Sequence, residues 1–296
     1  MGIRSILGPR LLTIAIHKRE ARWTLGRGGA IASCGRVPLA AGLVNDGVIS
    51  DPAAVGSLLR AAPDFPRRWR VRVVIALPAQ RSVFRTIEVP AVRGKAFDEL
   101  AGREVRREMP MLADHAYVSW ARTGEREGTA HLFIVGVARD VLDSHVAAVQ
   151  AAGLRPYLAD LRVVAAARAA GGPDCIIANI EEEESEIAIV RDGVPAIVRF
   201  VAMSTPCGTS AWLEQVAEEL ARTVKFYHDA HRDDEPFETL AISMAGGAAQ
   251  QAALGGGVAA ATGHRVEVAQ PPIPEGAGDG APFAVNVGLA LKERAA

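Results

Sequence analysis

The sequence predicts a two-lobed α/β fold with a small unit inserted into the first lobe. Three observations predict it. Ile14-Ala15-Ile16-His17 and Ala178-Asn179-Ile180-Glu181 each end an apolar, β-type run, enter a charged turn and return in a second run. One such hairpin opens each half, the mark of an internal duplication. Gly171-Gly172-Pro173 separates the halves, because glycine and proline together punctuate regular structure. Residues 82–152 read as β-α-β-β-α, a unit set between other elements. The expected partition is 9–81 plus 153–173 for the first lobe, with helix 283–294 packing back on it, 82–152 for the insertion, and 174–282 for the second lobe.

The elements follow in order. Leu11–Ile16 is a strand, Lys18-Arg19-Glu20 a turn, and Arg22–Leu25 the returning strand. Asp51-Pro52 starts a helix, with an acceptor side chain at the cap and proline in the first turn. Arg72–Leu77 is short and β-branched, which favours a buried strand. Ser82–Val89 alternates, with Val83, Arg85, Ile87 and Val89 on one side. Phe97, Leu100, Ala101 and Val105 have helical spacing, and Pro110 stops that helix. Tyr117–Trp120 and His131–Ala138 are strands, Val141–Ala152 a helix capped by Gly153, and Leu161–Ala170 an Ala-rich helix. In the second half, Cys175–Ile180, Glu186–Val190 and Ala196–Met203 form a meander, with a turn over 181–185 and Arg191-Asp192-Gly193 as the tight turn. Trp212, Val216, Leu220, Val224 and Tyr227 make one stripe on a long helix. Thr239–Ser243 is a strand running into Gly246-Gly247, and Phe283–Leu291 closes the chain as a helix.

Composition narrows the function. Lys and Arg total 33 against 34 for Asp and Glu, which excludes a broad nucleic-acid surface. Arg67-Arg68 beside Trp69 is read as a solvated loop. Three cysteines at long spacings, Cys34, Cys175 and Cys207, point to a reducing compartment. Ile6–Ile16 is broken by Pro9 and Arg10 and is no signal peptide, and no run reaches the length of about 18 apolar residues that a membrane span needs. Gly2 lacks the Ser or Thr that myristoylation wants, since Ile6 stands there. Membrane association is therefore expected through a partner, without direct insertion. His228, His231, Asp233 and Asp234 have helical spacing, but nothing local completes a metal site. Cys207 lies in a turn, and Glu108 and Asp114 are read as solvated charges.

A series of segments then carries a resemblance over nearly the whole chain: Gly47-Val48-Ile49-Ser50-Asp51-Pro52, Ile75-Ala76-Leu77-Pro78, Arg85-Thr86-Ile87-Glu88-Val89-Pro90, Glu108-Met109-Pro110, Ala151-Ala152-Gly153-Leu154-Arg155-Pro156 with Asp160, Arg191-Asp192-Gly193, Phe226-Tyr227, Gly246-Gly247 and Phe283–Leu291. In this order they resemble the type IV pilus assembly protein PilM family of the actin-like ATPase superfamily. The resemblance implies a two-lobed actin-like fold, ribonuclease H-like and duplicated.

In that family each hairpin carries Asp-Ile-Gly and small hydroxyl residues. Glycine lets backbone N–H groups approach a phosphate, and aspartate holds the metal. Here Ala15 and His17 replace the acid and the glycine, with Lys18-Arg19-Glu20 following. In the second hairpin Asn179 and Glu181 do so, and Glu182-Glu183-Glu184-Ser185 follow. Like charges at about 5 Å repel by about 1 kcal/mol per pair even in water. Lys18-Arg19 either draws phosphate in or pairs with the glutamates across the cleft. Gly246-Gly247 matches the family's adenosine-side turn. The degenerate nucleotide site is thus Ala15, His17, Lys18, Asn179, Glu181, Ser185, Gly246 and Gly247. No catalytic residue, metal or cofactor is expected, ATP with Mg being the candidate cofactor.

The resemblance implies a cytoplasmic scaffold or adaptor, peripheral to the inner membrane. It would bind the N-terminal tail of a membrane-anchored PilN-like protein, beside other pilus inner-membrane components. The groove is expected near the insertion, at Val83, Arg85, Ile87, Val89, Phe97 and Leu100, each of which also fits a core role. The alternatives are a working or nucleotide-binding actin-like ATPase, and the cytoplasmic domain of a type II secretion inner-membrane protein.

Overall fold

Two hairpins of identical construction organise the molecule. In the computed structural model, which describes residues 10–28, 30–66, 71–109, 115–231 and 237–295, β1 (Arg10–Ile16) pairs antiparallel with β2 (Glu20–Arg27), and β11 (Cys175–Ile180) with β12 (Glu184–Arg191). In the first hairpin Ile16 faces Ala21 and the His17 N–H donates to Glu20 O at 2.8 Å. In the second Ile180 faces Ser185 and the Glu181 N–H donates to Glu184 O at 2.9 Å. His17 and Glu181 are therefore equivalent positions, as are Arg22 and Glu186. Gly2, Ile6, Arg67-Arg68-Trp69, Pro110, Asp114 and Asp233-Asp234 lie outside the described residues.

The two sheets repeat the same plan. The first runs β10-β6-β1-β2-β3, with β3 (Ala30–Pro38), β6 (Val71–Leu77) and β10 (Pro156–Leu161). The second runs β13-β12-β11-β14-β15, with β13 (Val194–Ala202), β14 (Ile242–Ala245) and β15 (Val266–Val268). In each, an antiparallel meander joins a parallel pair at the strand that opens the lobe. Those opening strands are buried on both faces, so they read as continuous apolar runs.

Side-chain alternation sends the two faces of each sheet to different cores. Leu12, Ile14 and Ile16 meet Val55 and Leu59 of α1 (Pro52–Ala61) and Val141 and Val149 of α3 (Arg139–Ala151). Leu11 and Ala15 face the other way, onto Val163 and Ala166 of α4 (Arg162–Ala170) and Val285 and Leu289 of α7 (Ala284–Ala295). Ile177 and Ala188 of the second sheet join that same cluster. Its outer face holds Ile176 and Ile180 against α5 (Ser210–Ala230) and α6 (Leu254–Thr262), through Trp212, Leu220 and Val258. The two sheets thus sandwich α4 and α7, and α4 and α7 cross so closely that a Cβ on Gly288 would lie 1.7 Å from Ala165 O.

The insertion has its own small core. The sheet β7-β9-β8 comprises β7 (Ser82–Pro90), β9 (Thr129–Ala138) and β8 (Ala116–Arg126). α2 (Lys95–Glu108) covers one face, with Phe97, Ala101 and Val105 on Val89, Leu132 and Ile134. The span 82–152 is cut differently by packing: Val141, Ala148 and Val149 of α3 belong to the first lobe's core, not to the insertion's. Local signals hold at the caps. Asp51 accepts from the Ala54 N–H at 2.9 Å, Thr209 from Trp212 N–H at 3.3 Å, and Gly171 ends α4 in the left-handed conformation.

Other boundaries differ from the expectation. Strands β3, β10 and β15 and helix α6 went unread, and β12 starts at Glu184, not Glu186. The expected strand over 239–243 is instead a 3₁₀ turn at Phe237–Thr239 followed by β14 at Ile242–Ala245. No helix among the described residues is long and apolar enough to cross a membrane.

Candidate functional site

The two hairpin turns face each other across a cleft of ≈ 340 Å³ between the lobes. The turns carry opposite charge: Lys18-Arg19 follows His17 on one side, and Glu181-Glu182-Glu183 stands on the other. Trp212 fixes the acidic turn from the start of α5, its indole N–H donating to Glu182 O at 3.0 Å.

At the rim, Glu183 meets Lys18 Nζ at 3.0 Å and Arg19 Nε at 3.4 Å. All three side chains are two-fifths exposed or nearly so, and such a pair is worth at most about 1 kcal/mol. Lys18-Arg19 does pair across the cleft, then, but weakly.

Deeper, the ions are buried and count for more. Arg22, 1% exposed, gives Glu181 two parallel bonds, Nη1 to Oε1 at 2.7 Å and Nη2 to Oε2 at 2.6 Å. Glu20 takes the other edge of the guanidinium, and Nη1 also donates to Pro282 O at 2.9 Å. Arg162, at the first turn of α4, donates to Glu184 Oε1 at 2.5 Å and to His17 Nδ1 at 3.0 Å, and lies 3.4 Å from Glu186 Oε1. Glu186 reaches back into the first lobe and accepts from the Ala79 N–H at 2.7 Å. First-lobe cations therefore meet second-lobe carboxylates in a dry interface.

Burial decides the protonation states. It would raise the Glu181 carboxyl, but Arg22 and the hydrogen bonds from Arg22 and Gly247 outweigh it and hold it at about 2. Burial wins at Glu186, pushing it up with help from Glu184, against Arg162. It also wins at His17, which falls well below the usual histidine value despite Glu181. Arginine has no lone pair to offer, so the contact from Arg162 makes His17 Nδ1 an acceptor and puts the ring proton on Nε2.

His145 of α3 is buried as well and held at about 4 by burial, while its Nδ1 donates to Val141 O at 2.8 Å. A histidine whose folded pKa is depressed contributes stability above the unfolded value near 6.5, and that stability is lost as pH falls toward the folded value. Stability is therefore expected to drop between pH 6.5 and 4. For His145 alone the loss is about 3 kcal/mol. His145→Gln, followed by urea unfolding across that range, should flatten the decline; an unchanged slope would refute the assignment.

The cleft gathers His17, Lys18, Glu181 and Gly247 of the expected nucleotide site. Ala15 lies instead in the core between the sheets, Asn179 is buried opposite Glu186 in the β11–β12 register, and Ser185 is buried with its hydroxyl on Met203 Sδ at 3.8 Å. Gly246 backs onto Ile180, where a Cβ would come within 2.3 Å of the carbonyl oxygen. All four successive glutamates line the cleft, but in different states: Glu181 and Glu184 are buried in ion pairs, and Glu182 is exposed. Arg22, Arg162 and Glu186 went unread as site residues. A signal existed, since Ala21-Arg22-Trp23 places a cation inside an apolar strand run, where a charge needs a partner.

A second hollow, ≈ 350 Å³ and mostly apolar, runs beside β8. Its walls come from three places: Phe133 and Val135 of the insertion, Leu161 and Val164 of the first lobe, and Pro195 of the second. Of the expected partner residues, Val89 and Phe97 are buried in the insertion's core and Ile87 and Leu100 pack against it. Val83 is 41% exposed, and Arg85 is paired with Glu108 at 2.9 Å. None of the six lines this hollow. Among the described residues no cluster of His, Cys, Asp or Glu is arranged to hold a metal ion.

No protein-family model and no curated protein matches the sequence. Solved structures do match. A chain of the PilM–PilN type IV pilus biogenesis complex superposes with a TM-score of 0.71 at 20% identity, covering 96% of this chain and 98% of that one. The ethanolamine utilization protein EutJ of Carboxydothermus hydrogenoformans gives 0.55 at 14% identity, covering 97% and 91%. A protein of Bacteroides thetaiotaomicron with the actin-like ATPase fold gives 0.50 at 9% identity, covering 98% of both chains. Two hairpin-led lobes, a sandwiched helix pair and an inserted β-sheet unit, matched over nearly the full length of these structures, make this chain an α/β protein of two-lobed actin-like ATPase fold, similar in fold to a chain of the PilM–PilN complex.

Proposed function

We propose that the chain is a scaffold or adaptor of a type IV pilus-like assembly machine, which binds the extended tail of a membrane-anchored, PilN-like partner and no longer hydrolyses ATP. In this reading the first lobe comprises 9–81 and 153–173 with α3 packed into its core, the second 174–282, and the sheet and α2 within 82–152 build the docking site. The observation that carries it is the apolar hollow along β8. That strand is an edge of its sheet, and a further hollow of ≈ 340 Å³, with Val105 of α2 and Met109 just after it in its wall, flanks its other face. Tyr117, Val118 and Trp120 line both. An added strand would pair with the free backbone edge and send alternate side chains into the two hollows.

The cleft supports the loss of hydrolysis. No carboxylate stands at Ala15 or Asn179, where the family pattern places the metal-holding acid, and the buried carboxylates already have arginine partners. Localisation at the inner membrane would then come through the partner.

Ser119 is exposed and lines the hollow, so Ser119→Arg fills it without touching a core. Titration with the N-terminal tail peptide of the candidate partner is expected to give micromolar binding, weakened at least about tenfold by Ser119→Arg, which corresponds to about 1.4 kcal/mol. Equal binding by both proteins, or none by either, refutes the docking site. Micromolar binding of Mg-ATP followed by turnover refutes the loss of hydrolysis instead.

A further inference from the structure

Glu181 is held as a bound anion would be. Its two oxygens take the two parallel N–H bonds of Arg22, at 2.7 and 2.6 Å, and Oε2 also accepts from the Gly247 N–H at 3.1 Å. Planar, forked donation plus a converging backbone N–H is the geometry that recognises carboxylate and phosphate oxygens.

The host is fixed independently of its guest. Glu20 and the carbonyl of Pro282 orient the guanidinium. The turn that presents the N–H is shaped for close approach. Gly246 has φ 99°, and a Cβ on Gly247 would sit 2.5 Å from Arg22 Nη2 and 2.9 Å from Glu181 Oε2. Only glycine lets that backbone meet both the arginine and its anion. The pocket spans the lobes, with Arg22 from β2 of the first and Gly247, after β14, from the second, which also supplies Glu181 from the turn after β11.

We propose that Glu181 is an intramolecular ligand, its carboxylate filling an oxyanion pocket made by Arg22 and the Gly247 N–H, so that the protein keeps its cleft closed with an anion of its own. An external oxyanion must displace Glu181 to enter. The proposal does not depend on what the hollow along β8 binds.

Glu181→Ala removes a fragment the size of acetate and leaves the pocket standing. Thermal unfolding of wild type and variant in chloride, acetate and inorganic phosphate, at matched ionic strength and neutral pH, reads it out. In the variant, acetate or phosphate should raise Tm saturably, by about 3 °C at tenfold the dissociation constant. Wild type should not respond, and neither should Arg22→Met combined with Glu181→Ala. A folded Glu181→Ala that ignores both anions, or an equal response in all three proteins, overturns the proposal. Should Glu181→Ala not fold in any of the three salts, Glu181→Gln decides: it keeps the shape but gives Arg22 a neutral partner, so its Tm should fall well below that of wild type, and an equal Tm overturns the proposal.

Discussion

Arg162→Ala is expected to lower the free energy of unfolding by about 3–5 kcal/mol, the cost of stranding buried charge when one partner of an ion pair is removed. Arg162 is 2% exposed, and its partners Glu184 and Glu186 are 6% and 1% exposed, so bulk water does not screen them. Removing it leaves Glu184 without its partner at 2.5 Å and Glu186 with only the Ala79 N–H to offset its burial. The sign with pH follows. Carboxyls stranded in a dry interface have folded pKa values raised above the unfolded ones, so the variant's stability is lost as pH rises through that range. The gap between wild type and Arg162→Ala should therefore narrow from pH 8 to pH 5, as urea unfolding at both values will show. A triple replacement, Arg162→Met with Glu184→Gln and Glu186→Gln, should recover part of the loss, because it removes the stranded charge along with the cation. A loss below about 1 kcal/mol for Arg162→Ala would place this pair with the weak surface pairs.

Gly288→Ala should be at least as damaging, through geometry alone. A Cβ at 1.7 Å from Ala165 O, 2.4 Å from its carbonyl carbon and 3.0 Å from its Cα meets backbone, which cannot swing aside as a side chain can. Helix α7 would have to move off α4 by more than an ångström. Both sheets rest on that helix pair, so the displacement spreads into the cluster that contains Leu11, Val74, Ile177 and Leu289. Overpacking usually costs about 1–3 kcal/mol, and a backbone collision in the central layer belongs at or above the top of that range. Gly256→Ala is the control: nothing lies within 4 Å of its added Cβ, and in helix α6 it should stabilise by up to about 1 kcal/mol. Circular dichroism melts of the two variants would separate these directions, and a Gly288→Ala protein as stable as wild type would refute the close crossing.

The two-lobed plan was legible because it is written in local patterns. β1 and β11 are apolar runs ended by charged turns, and the stripe from Trp212 to Tyr227 has helical period throughout α5. What stayed hidden was set by tertiary partners. Strand β3 alternates weakly, with exposed Arg36 between half-buried Gly35 and buried Val37, and gains its identity by pairing with β2. Helix α6 reads Leu-Gly-Gly-Gly-Val-Ala-Ala-Ala-Thr, nearly uniform in hydropathy, so no face stands out. In the cleft, the loss of acid and glycine could be read from the hairpins themselves. The replacement network could not, because Arg22 and Glu181 are 159 residues apart and meet only once the lobes face each other. The two hollows are hidden for a related reason: β7 and β8 are both edges of their sheet, and only the packing of α2 and the two lobes around β8 makes it the one that borders both hollows.

The central helix layer also sets an order of events during synthesis. β1 and β6 are made within the first 77 residues, but α7, which covers part of their inner face, begins at Ala284. At about 5–20 residues per second, the ribosome needs about 10–40 s to bridge that gap. Throughout it, Val74 and Ala76 wait without the Val285 and Leu289 that share their cluster. A nascent chain of this protein is thus a ready client for holding chaperones until α7 emerges, and only then can the two halves close on a common core.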